Sequence, residues 1–245
     1  MNTDLTWLIP PLLFIVALLY SSVGHGGASG YLALLALFGY GQSSIRSSAL
    51  MLNLVVSLLS FIHFYRAGYF RWKLFYPFAI SSVPAAFVGA LIPLKDSLYH
   101  QLLGILLIFP ILRLGGLFGK EPAEIKTPNI WLSVLIGGII GLLSGMIGIG
   151  GGIILSPVIL LLAWARMKET AAVSALFIFI NSLAGLIPVF MKPVDIDRVM
   201  IVWFIAATLG AFTGSFLGSR VLLNKRLQHI LAFVLLIASV KLILG

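Results

Sequence analysis

Apolar residues run along the chain in eight stretches, at about 5–38, 45–65, 74–93, 98–114, 130–163, 170–191, 199–219 and 227–244, with short polar segments between them. A helix that crosses a bilayer needs about 20 predominantly apolar residues, and six of the eight stretches have roughly that length. The other two are nearly twice as long. Both are interrupted by glycine, as Gly24-His25-Gly26-Gly27-Ala28-Ser29-Gly30 in the first and Gly148-Ile149-Gly150-Gly151-Gly152 in the second. Each glycine weakens a helix interior by about 1 kcal/mol relative to alanine, so clusters this dense predict breaks. The pattern predicts an all-α, polytopic integral membrane protein. Trp7, Trp72, Trp131 and Trp164 fall near the ends of stretches, where interfacial aromatic rings belong.

The two broken stretches head an internal repeat. Val23-Gly24-His25-Gly26-Gly27 lies over Ile147-Gly148-Ile149-Gly150-Gly151 at an offset of 124. Ser48-Ala49-Leu50 then lies over Ser174-Ala175-Leu176 at 126, and Ala85-Ala86-Phe87-Val88-Gly89 over Gly210-Ala211-Phe212-Thr213-Gly214 at 125. Leu106-Leu107-Ile108 lies over Val234-Leu235-Leu236 at 128. Four matches in chain order predict two homologous membrane repeats, 1–120 and 125–245, with 119–129 as the connecting loop.

Charge then decides how the repeats are oriented. If each long stretch crosses once, the halves are parallel and the basic residues divide nine to seven between the two faces. If each long stretch turns at its glycines and leaves by the face it entered, three crossings remain per half and the halves are inverted. One face then holds Arg46, Lys95, Lys192, Arg198 and Lys241, and the other holds the remaining eleven of the sixteen basic residues. Basic residues gather in cytoplasmic loops, so the inverted arrangement is expected, with 66–73, 113–129, 164–169 and 219–227 inside and both termini outside. Each half is then a glycine-broken helical hairpin plus three transmembrane helices.

Composition narrows the function classes. The chain of 245 residues is 60% hydrophobic and 9% charged, against about a quarter charged in soluble domains, which leaves no room for a separate soluble domain. The net charge of +9 reads as an orientation signal, with the lipid bilayer as partner and no nucleic acid; an oligomer is compatible with the pattern. Zero cysteines exclude disulfides and thiolate chemistry. Asp4, Asp96, Glu121, Glu124, Glu169, Asp195 and Asp197 all fall in loops or at stretch ends, so neither a carboxylate relay nor a metal or other cofactor is expected. Met1-Asn2-Thr3-Asp4 lacks the basic region of a secretory leader.

A glycine run lets backbone N–H groups converge without side chains in the way, and a helix that begins there brings its positive end. This is an anion site in outline, and two such breaks related by inverted symmetry would form a pocket near the midplane. Candidate substrate-binding residues are Gly24, His25, Gly26, Gly27 and Ser29 in the first break, and Gly148, Gly150, Gly151, Gly152 and Pro157 in the second. Ser48, Asn53, Ser174 and Asn181 are candidates from the stretches between. His25 is the one ionisable residue inside a break; it could be a structural hydrogen bonder or could bind the anion or carry a proton. Ser48 and Ser174 have a capping or helix-linking alternative. Gly137, Gly141, Gly145 and Gly210, Gly214, Gly218 recur every four residues and read as helix packing surfaces.

The Gly-x-Gly-Gly-Gly core with a proline five residues on, Gly148 to Gly152 and Pro157, together with the duplication, resembles the sulfite exporter TauE/SafE family. That resemblance implies a membrane permease or exporter for sulfite, sulfoacetate or related sulfur-containing anions, not an enzyme. The first copy departs from the motif, with Ala28 in place of the third glycine, Ala33 in place of the proline and His25 at the variable position. Two rival readings remain. A passive anion channel would also use dipole-lined breaks. An intramembrane serine protease is a distant alternative, because Gly27-Ala28-Ser29-Gly30 fits a Gly-x-Ser-Gly pattern.

Overall fold

The computed structural model describes residues 3–116, 124–191, 198–220 and 225–244, so part of the 119–129 loop and the basic residues Lys120 and Lys192 lie outside the described residues. A short 3-10 turn, Thr3–Leu8, leads into α1 (Ile9–Ser21), followed by α2 (Ala28–Leu37), α3 (Gln42–Arg66), α4 (Trp72–Leu91) and α5 (Asp96–Leu114). The same order then recurs as α6 (Ile130–Ile147), α7 (Gly152–Leu161), α8 (Met167–Phe190), α9 (Arg198–Arg220) and α10 (Lys225–Leu244). The chain is an all-helical, multi-pass membrane protein. Among the described residues, five helices are long and apolar enough to cross a bilayer: α3 from Arg46, α4, α6, α8, and α9 from Val199.

Packing is reciprocal between the two runs of five helices. α6 lies along α4 as α1 lies along α9, and α8 touches α4 as α3 touches α9. α3 packs on α8, and α5 on α10. The two tightest pairs are set by the glycine rows. A Cβ at Gly137, Gly141 or Gly145 of α6 would run into the backbone of Phe78, Ser82 or Ala86 in α4. One at Gly210, Gly214 or Gly218 of α9 would run into Phe14, Leu18 or Ser22. Backbones meet there because no side chain keeps them apart, the usual basis of close crossings in lipid.

The arms of the second broken stretch are unequal. α6 has 18 residues and spans about 27 Å, while α7 has 10 and spans about 15 Å. The break thus comes at the end of one whole membrane-length helix, and the non-helical segment 148–151 makes up the difference. The mouth of this hairpin is closed where the Lys126 N–H donates to the Ala163 carbonyl at 2.8 Å.

Contacts gather several loops at one end of the bundle. Arg71 pairs with Glu169 at 3.5 Å and reaches the Trp164 carbonyl at 3.5 Å. Lys168 donates to the Tyr69 hydroxyl at 3.4 Å and to the Ser219 carbonyl at 3.2 Å. Trp7, Trp72 and Trp131 are exposed, but Trp164 is buried against Phe78, with ring centroids 6.1 Å apart. Trp164 is therefore not interfacial, because the tight turn after α7 folds its ring under α4.

Candidate functional site

The two breaks are built alike. Gly24 and Gly27 take left-handed φ values of 76° and 88°, and Gly148 and Gly151, each 124 residues later, take 91° and 76°. An L residue with a Cβ pays about 1–2 kcal/mol in that conformation, which is the local reason for glycine at these corners. Gly27 is the N-cap of α2, and Gly151 that of α7. All residues from Gly24 to Gly30 and from Gly148 to Pro157 are buried.

Both breaks converge between α3 and α8. A Cβ on Gly26 would meet Asn53 and Ile178; one on Gly150 would meet Ile178 at 2.7 Å, Asn53 at 2.8 Å and Ser182 at 2.9 Å. Asn53, fully buried on α3, ties the breaks together. Its Oδ1 accepts the Ala28 N–H at the start of α2 at 3.0 Å. Its Nδ2 donates to the Ile149 carbonyl of the second break at 3.4 Å and to the Ser182 hydroxyl at 3.3 Å. The amide orientation follows, because an N–H can only donate and a carbonyl can only accept.

His25 forms the second link. Its Nδ1 donates to the Val23 carbonyl at 2.9 Å, so in the neutral ring Nε2 is the acceptor, and the Ser156 hydroxyl lies 3.1 Å from it. Ser156 is in turn 2.7 Å from Ser174 on α8. A chain of polar groups thus runs from the first break through α7 to α8. Pro157, next to Ser156, has no N–H and frees the Ile153 carbonyl one turn earlier.

A small cavity of about 10 Å³ lies at the junction, lined among others by Tyr20, His25, Gly26, Ser29, Ile149 and Ile178. That is room for about one water. α2 and α7 both begin here, and the first N–H groups of a helix have no partner within it. Among the described residues no carboxylate lines this junction, and no group of three or more His, Cys, Asp or Glu is placed to hold a metal ion.

The structure thus gathers Gly26, Gly27, His25, Ser29, Asn53, Gly150, Gly152 and Ser174 about one centre. Gly24 abuts Ala171 at the start of α8, and Gly148 abuts Arg46 at the start of α3. Gly151 lies against Phe177 and Ile140. Ser48 is buried on α3. Asn181 turns to α4, donating to Ser82 at 3.2 Å and to the Phe177 carbonyl at 2.8 Å. Ser29 donates to the Tyr20 hydroxyl at 2.9 Å rather than to a histidine, which removes the geometry a serine protease needs. Sequence reasoning missed Ser156, Ser182, Tyr20 and Ile178. Ser156 was findable as a hydroxyl four residues into the helix that follows the second break. The His63 ring lies 2.7 Å from the Ser215 hydroxyl on α9.

The sulfite exporter TauE/SafE family model matches residues 9–242. The chain is 36% identical over 234 residues to "Probable membrane transporter protein y4hK" of Sinorhizobium fredii, covering 94% of this chain and 95% of that protein. It is 30% identical over 195 residues to "Probable membrane transporter protein MJ0441" of Methanocaldococcus jannaschii, covering 74% of this chain and 72% of that one. No solved structure matches it. A family match over nearly the whole length, on a multi-pass helical fold, makes the chain a membrane transporter, and it belongs to the sulfite exporter TauE/SafE family.

Proposed function

We propose that this transporter is a permease for small sulfur-containing anions, with sulfite, sulfoacetate and other organosulfonates as the substrate class. The observation that carries the reading is the bridge made by Asn53, which joins the first turn of α2 to the backbone of the second break. Two helix N-termini are thereby aimed at one buried centre. The positive ends of the two helices and their unshared N–H groups favour an oxyanion, and His25, Ser156 and Ser174 supply adjustable hydrogen bonds. The family description supports the sulfur chemistry.

In this reading the chain is two inverted halves in the inner membrane, and the substrate binds near the midplane. The reciprocal packing of α1–α5 and α6–α10 supports the duplication. The meeting of the segments around Arg71 and 164–169 with the last turn of α9 supports a single basic face, and the reading puts both termini on the other side. The small size of the cavity supports alternating access over a standing pore, since an anion larger than water enters only when a break moves. Labelled sulfite in liposomes tests it. Saturable uptake with trans-stimulated counterflow is expected; flux far above about a thousand per second without exchange would make the protein a channel instead.

A further inference from the structure

Arg46 brings a guanidinium to the second break. Its Nη2 donates to the Ala90 carbonyl at 3.0 Å and to the Gly145 carbonyl at 2.5 Å, and these belong to the last turns of α4 and α6. The Tyr99 hydroxyl donates to the Ile147 carbonyl beside them at 3.1 Å. The stem of Arg46 lies against the left-handed turn at Gly148, where a Cβ would meet its Cγ at 2.8 Å. Its Nε is buried and has no hydrogen-bond partner among the described residues.

Each helix C-terminus carries about half a negative charge, so α4 and α6 together place about one negative charge next to the second break. One guanidinium balances it. Capping those helices uses Nη2 alone; the Nε–H is a charged group's donor, buried and left over, which is costly unless an acceptor comes to it. Arg46 also lies seven residues before Asn53 on α3, about 10 Å along the helix axis. At that separation a unit charge changes the binding of a monovalent anion by about tenfold at an effective dielectric near 20.

We propose that Arg46 senses the charge of the transported anion, cancelling the C-termini of α4 and α6 and offering its Nε–H as the anion passes the second break. This rests on the anion-permease reading, and it adds a prediction that reading does not make. Removing one positive charge should penalise a divalent anion by the square of the factor for a monovalent one.

The test is uptake by the reconstituted full chain of labelled isethionate, with one negative charge, and sulfoacetate, with two. In R46Q the expected KM rises about tenfold for isethionate and about a hundredfold for sulfoacetate, with maximal rates within about twofold. R46K keeps the charge and is expected to preserve the wild-type ratio of the two KM values. Equal KM changes for both anions in R46Q, a loss of maximal rate alone, or an R46K that matches R46Q would each overturn the role. If R46Q is not recovered folded, R46K decides it, a preserved ratio supporting the role and a collapsed ratio overturning it. Wild-type protein that carries neither of these anions nor labelled sulfite would overturn the permease reading itself, whereas sulfite uptake without uptake of either organosulfonate would overturn the role of Arg46 alone.

Discussion

At the first break the chain turns left-handed at Gly24 and Gly27, at the second at Gly148 and Gly151, and a ten-residue helix follows each. Between those corners the two part company. The first holds His25, tethered to Val23 and to Ser156, where the second holds Ile149. The helix after the first break has its leading N–H taken by Asn53; the helix after the second carries Pro157. The backbone that aims two helix ends at one place is alike at the two breaks, while the side chains between the corners differ. In the permease proposed above, matching backbone frames with unequal walls would let the protein open to two sides and still bind one ligand in one orientation.

The comparison is broken most severely at its glycines. Gly150→Val puts a branched side chain at φ 71° and into Ile178, Asn53 and Ser182. Gly26→Val collides with Asn53 and Ile178 without the conformational penalty. Backbone strain of about 1–2 kcal/mol adds to overpacking of about 1–3 kcal/mol in the first case. Transport is expected to vanish in both variants with the protein still present in the membrane, and Gly150→Val to be the less stable in a thermal melt. Full activity in both would remove the breaks from the site.

A smaller effect is expected at the bridge. Asn53→Leu leaves the Ala28 N–H and the Ile149 carbonyl without their partner, at about 1–3 kcal/mol for a buried unpaired group. Because Asn53 serves both breaks, transport should fall by at least about tenfold, well beyond the effect of Asn181→Leu, whose partners lie on α4 and α8 alone. Equal effects at the two asparagines, measured by uptake and melting temperature, would show that the bridge has no special place.

The finest test is an exchange. His25→Ile makes the first break resemble the second and is expected to lower uptake about tenfold, the scale of losing one buried hydrogen bond of about 1.4 kcal/mol. Adding Ile149→His should not restore it, because the Ser156 and Ser174 hydroxyls lie on the His25 side. Rescue in the double variant would mean that the two breaks are interchangeable.

Much of this was legible in the sequence. The dense glycines marked both breaks, and the four-residue spacing of Gly137, Gly141 and Gly145 marked a packing face, because backbone geometry and close approach are local demands that few residues can meet. The junction was legible only in part. Asn53 stood out because an amide in lipid needs a partner, but nothing in the spacing said that its partners would be Ala28 and Ile149. Ser182 is one of many serines in apolar helices, and only the packing of α3 on α8 brings it to Asn53. Arg46 read as a stretch-end charge, since sequence position does not reveal that two other helices end against it.

The glycine row of α9 also has a consequence for how the protein is made. α1 is closed against Gly210, Gly214 and Gly218, yet α9 starts about 180 residues after α1 ends. At about 5–20 residues per second, α1 waits roughly 10–40 s in the membrane before its partner is synthesised. Throughout that interval the backbone groove of α1 is open to lipid or to any other small-residue helix. The first break, which hangs from the end of α1, takes its working position only when translation is nearly over.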